Sequence, residues 1–120
     1  MAYQSFEELD IWKRSMQLSV ELINDMKECK DFAFKNQAIR SAISVSSNIA
    51  EGAERQSDKE FRYFLNVAKG SAAELRTQLY IGIKTNIIEE EMGREMVEEL
   101  KQLSSMIHGL IKSLNKKLNT

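Results

Sequence analysis

From Phe6 to Met26 the apolar residues Leu9, Trp12, Met16, Val20, Ile23 and Met26 recur at steps of three and four. That spacing follows the helical turn and predicts a first helix, over about 6–28, with one buried face. The polar run ECKDFAFKNQ, residues 28–37, interrupts the period and predicts a connection in which Phe32 and Phe34 fold back over a bundle end. A second helix is expected over about 34–54, with Ile39, Ala42, Ile43, Ser46, Ile49, Ala50 and Ala53 as its inner face. Ser57 and Glu60 have capping-box spacing, so a third helix should start at 58 and run to about 85. Its face is Phe61, Phe64, Leu65, Ala68, Ala72, Leu75, Leu79 and Gly82. Asn86 tolerates the left-handed backbone that ends a helix. Glu89, Glu90 and Glu91 then suit the positive end of a fourth helix over about 89–117, with a seam of Met92, Met96, Leu100, Leu103, Ile107, Leu110 and Leu114.

Four helices with short connections predict one all-α domain over 1–120, an antiparallel up-down-up-down four-helix bundle. Composition agrees: the 120 residues include no proline and five glycines, and 42% are apolar, so little interrupts long helices and one core suffices. The stretch SAISVSSNIAEG, residues 41–52, places small residues on nearly every side of the second helix. Such a helix admits close neighbours from more than one direction. Asn48, Glu51 and Arg55 fall on its more polar side, where they could cap, pair or hydrogen-bond across an interface.

Seventeen basic and eighteen acidic residues give a net charge of −1, so binding to nucleic acid by bulk charge is not indicated. Cys29 is the only cysteine and His108 the only histidine, which excludes an internal disulfide and a zinc constellation. Ser105 stands where a Glu-x-x-His dimetal motif would need its glutamate, and Cys29 has no base near it in sequence. The expectation is a protein without enzymatic activity, metal or cofactor. Uncharged runs are too short for a membrane span, and a cytoplasmic location is expected.

Residues 37–79, QAIRSAISVSSNIAEGAERQSDKEFRYFLNVAKGSAAELRTQL, with GLIKSL at 109–114, resemble the bacterial four-helix-bundle family encoded in intervening sequences of 23S rRNA genes. The resemblance spans almost the whole chain. It implies a homopentamer with no associated enzymatic activity, and a fold similar to the accessory protein of diversity-generating retroelements, whose members are basic and bind nucleic acid. The chain departs from that pattern in its slightly acidic balance, in Ser46 and Ser47 where many relatives have proline and serine, and in Arg76 where many have glutamate.

Two faces of the third helix carry the remaining candidates. Arg62, Lys69 and Arg76 recur every seven residues beside the apolar face, with Arg55 and Lys59 extending this edge. The edge could follow an RNA or DNA backbone. The ordinary alternative is that these stems cover the core margin and pair with carboxylates of Glu89–Glu99 on the next helix. On the other flank Val67, Gly70, Ser71, Glu74 and Gln78 form a mixed strip. An exposed helical glycine costs about 1 kcal/mol relative to alanine, so Gly70 suggests close approach of a second subunit.

Overall fold

A computed structural model describes residues 5–119. After a short 3-10 turn at Phe6–Glu8 come α1 (Asp10–Asp25), α2 (Phe32–Glu54), α3 (Asp58–Lys84) and α4 (Glu90–Leu118). They form an all-helical four-helix bundle 49 Å long.

Local chemistry sets each boundary. Leu9 is extended, with φ −77° and ψ 128°, so α1 starts at Asp10 rather than at 6. Asp31 accepts a hydrogen bond from the Phe34 N–H at 3.1 Å, which caps α2 and starts it at Phe32, inside the expected connection. Phe34 packs on the core, whereas Phe32 remains 65% exposed. Ser57 Oγ caps α3 by accepting the Glu60 N–H at 3.0 Å. The Glu60 carboxylate, which in a capping box would reach back to the Ser57 N–H, takes Arg55 at 3.3 Å instead. Asn86 has φ 63°, and the N–H groups of Ile87 and Ile88 return to the Gly82 carbonyl. Glu89 is the N-cap of α4 rather than its first residue, accepting from the N–H groups of Glu91 and Met92.

The core is centred on Leu22, Ile49, Leu65, Leu75, Leu79, Leu100, Leu103 and Ile107. The inner face of α3 follows the expected one from Leu65 to Gly82 and adds Ser71, and that of α4 keeps Met96, Leu100, Leu103, Ile107 and Leu114 but also buries Gly93, Val97 and Ile111, with Met92 and Leu110 half-buried. That of α1 is turned: Ile11, Ser15, Leu18, Ser19, Leu22 and Met26 are buried, while Met16 and Val20 face outward. Ser15 and Ser19 lie inside because their hydroxyls bond back to the carbonyls of Trp12 and Ser15, which satisfies them without water. A reading that treats serine as polar therefore turns the helix the wrong way. The α2 face is also turned: Ala42 and Ile49 are buried as expected, but Ala38, Ser41, Val45 and Gly52 complete the face in place of Ile39, Ser46, Ala50 and Ala53, and Ile43 is exposed.

Small side chains make the α2–α3 pair the most extensive contact in the bundle. A Cβ on Gly52 would lie 2.7 Å from Phe64 Cβ, so the two helices approach there as only glycine permits. Of the neighbouring helix pairs, α1 and α4 meet least. Between them runs a cleft floored by Leu18, Met92 and Met96 and bridged by Arg14.

Candidate functional site

The α3–α4 seam carries the basic edge. Arg62 donates from Nη1 to Asn115 Oδ1 at 2.7 Å, and Lys69 Nζ lies 3.2 Å from His108 Nδ1. These partners define an antiparallel register: seven residues on along α3 meets seven residues back along α4. One further step sets Arg76 opposite Lys101, and both line one groove of about 630 Å³ with Lys69 and His108. Gly70, Ala73, Ser104 and Ser105 give that groove small walls, and no Asp or Glu lines it.

The expected carboxylate partners on α4 do not take these side chains. Glu99 pairs instead with Arg14 of α1, through Nη2 to Oε1 at 2.7 Å and Nε to Oε2 at 2.8 Å. This two-pronged contact raises the Arg14 pKa and lowers that of Glu99, the hydrogen bond being the largest cause in each case. The physical reason is rotation: Glu99 lies on the α1 side of α4, whereas Lys101 and His108 lie on its α3 side.

Arg55 separates from the basic edge. It pairs with Glu51 at 2.7 Å and Glu60 at 3.3 Å, and its guanidinium lies 5.0 Å from the Phe64 ring centre. Lys59 is exposed one turn ahead of Arg62. Among the described residues no group of three or more His, Cys, Asp and Glu is placed to hold a metal ion, and no helix is long and apolar enough to cross a membrane.

Residues 7–109 match the 23S rRNA-intervening sequence proteins. The chain belongs to that family. A solved structure with a TM-score of 0.80 and 26% identity, covering 85% of this chain and 98% of its own, is described as a protein with unknown function from the S23 ribosomal protein family of Bacteroides thetaiotaomicron. No curated protein matches the chain.

In this member of the 23S rRNA-intervening sequence family the residues expected at a subunit contact are dispersed. Ser71 is buried, 6% exposed, and shares a 2.8 Å hydrogen bond with Ser44, to which Asn48 also donates. Both residues thus serve the α2–α3 contact inside one chain, which corrects the outward position expected for Ser71. Glu51 is taken by Arg55. Glu74 is exposed, Val67 half-buried, and Gly70, with open space beyond it, borders the basic groove.

Sequence periodicity missed a different surface. Met16 and Val20 of α1 and Ile43 of α2 are 36%, 42% and 44% exposed, and Ile23 and Ile39 beside them are half-buried. Ile23 stands roughly 180° around α1 from Arg14, which faces α4. Ile39 stands roughly 180° around α2 from Asn48, which faces α3. Both stripes therefore flank the α1–α2 seam on its outer side. The signal was present in sequence as residues assigned to the core.

Proposed function

We propose that this protein is a non-enzymatic, self-associating bundle that acts in the cytoplasm as a scaffold or binding platform, with five copies as the family resemblance implies. The observation that supports it best is the outward apolar stripe of Met16, Val20 and Ile43. Side chains of this kind clustered on two neighbouring helices are costly to leave in water and suit contact with another copy. The test is molar mass by light scattering for the wild type and for Val20→Lys and Ile43→Lys, with helicity followed by circular dichroism. Smaller species at unchanged helicity support the α1–α2 surface. A shift only on Gly70→Leu moves the contact to α3, and a monomeric wild type overturns self-association.

A second reading is an RNA- or DNA-binding module using the α3 edge. It is favoured by the partners of Arg62 and Lys69, an amide oxygen and an imidazole nitrogen, neither of which is a carboxylate. Wild-type binding to a single-stranded oligoribonucleotide that weakens steeply with salt supports it; no binding at low salt overturns it.

A further inference from the structure

Along the α3–α4 seam the cations of α3 meet acceptors at two successive levels and then meet none. Asn115 supplies an oxygen to Arg62, and the His108 ring supplies Nδ1 to Lys69. At the third level Arg76 faces Lys101 across the groove. Guanidinium and ammonium groups are donors only, so neither can satisfy the other, and their like charges repel. No carboxylate lines the groove to relieve this.

The remaining lining has the chemistry of an anion cradle. Ser104 and Ser105 bring hydroxyl donors from α4. The Lys69 ammonium can only donate, so Nδ1 of His108 accepts from it and Nε2 is left as a further donor. Gly70 and Ala73 keep the α3 wall low, and nothing lies within 4 Å of where a Gly70 side chain would begin. Five donor side chains of this kind, planar Arg76 among them, match the several acceptor oxygens of a tetrahedral oxyanion.

We propose that the groove between α3 and α4 is a phosphate site, in which Arg76 and Lys101 clamp the anion from opposite walls and Ser104, Ser105 and His108 complete its hydrogen bonds. The phosphate belongs either to a nucleic-acid backbone or to a free phosphorylated small molecule. The first source deepens the nucleic-acid reading above; the second stands without it.

The decisive variant is Arg76→Glu, which gives Lys101 a carboxylate within the same chain and closes the third level as an ion pair. Inorganic phosphate is titrated into the full-length protein at constant ionic strength, with the amide resonances of Ser104, Ser105 and His108 followed by NMR. A single-stranded oligouridylate is titrated in parallel by fluorescence anisotropy, with Lys84→Gln as a distant charge control. Saturable shifts at those amides, weakened at least tenfold in Arg76→Glu and retained in Lys84→Gln, are expected. If the oligouridylate also binds, is displaced by phosphate and is lost in Arg76→Glu, the source is a nucleic-acid backbone. Loss of both Arg76 and Lys101 contacts, in Arg76→Gln/Lys101→Gln, then flattens the log–log salt slope by about 1.4. Phosphate binding without RNA binding identifies the free phosphate and removes the nucleic-acid reading. RNA binding that Arg76→Glu leaves intact overturns the groove while that reading stands. Shifts that fail to saturate, or that Lys84→Gln diminishes equally, also overturn the groove.

Discussion

Ser44 of α2 and Ser71 of α3 place their hydroxyl oxygens 2.8 Å apart, and Asn48 Nδ2 donates to Ser44 Oγ at 3.0 Å. Two serines facing one another bring helix backbones nearer than two leucines would, and the shared hydrogen bond removes the penalty of burying them. The serine-rich middle of the chain thus serves the most extensive helix contact within the bundle.

Ser71→Ala should cost about 1 kcal/mol, the net worth of one hydrogen bond. Ser71→Leu should cost more, about 1–3 kcal/mol, because the added volume forces α2 and α3 apart. Urea unfolding followed by circular dichroism checks both, and a leucine variant as stable as the wild type would refute the close approach.

Gly52 and Gly70 are both helical glycines with opposite surroundings. A Cβ on Gly52 would meet Phe64 Cβ at 2.7 Å and the Phe61 carbonyl oxygen at 3.3 Å, whereas one on Gly70 meets nothing within 4 Å. Gly70→Ala should therefore stabilise by up to about 1 kcal/mol through helix propensity. In Gly52→Ala the same gain is outweighed by overpacking, for a net loss of about 1–2 kcal/mol. Thermal midpoints moving in opposite directions are the expected outcome.

Arg14 and Glu99 give stability a modest acid dependence. The Glu99 carboxyl is held below its ordinary value, chiefly by the Arg14 hydrogen bond. Its folded-state pKa is depressed, so the contribution is present above the unfolded-state pKa and disappears as pH falls through the folded one. Both side chains are about a third exposed, 34% and 35%, which limits the effect to about 1 kcal/mol or less. Glu99→Gln should lower stability at neutral pH and match the wild type more closely in acid; an equal deficit at both pH values would assign the loss to packing.

Asn86 holds φ at 63° to end α3. Asn86→Gly should be neutral or stabilising by up to about 1 kcal/mol, because glycine enters that region without a Cβ conflict, and Asn86→Ala should lose about 1 kcal/mol. Chemical denaturation of the two variants checks the order.

The four helices were legible because α3 and α4 carry large apolar residues at unbroken helical spacing, and because Ser57, Asn86 and Glu89 mark their ends. Rotation of α1 and α2 was not. Ser15, Ser19 and Ser41 are buried while Met16, Val20 and Ile43 face outward, so the rule that apolar residues lie inside misassigns both helices. The basic edge was legible on α3 alone. Its partners Lys101 and His108 come from α4, and only the register set by Arg62 with Asn115 brings Arg76 opposite Lys101.

The sparse meeting of α1 with α4 makes the bundle a curled row of helices whose two margins are joined mainly by the Arg14–Glu99 pair rather than by a packed seam. A margin can peel without dismantling the rest, and α1 has both the shorter span, 16 residues against 29 for α4, and the less extensive contact with its inner neighbour, α1 with α2 against α4 with α3. Backbone amides of α1 should then exchange with deuterium through a partial opening, well before those of α2 and α3, whose release requires unfolding of the whole chain.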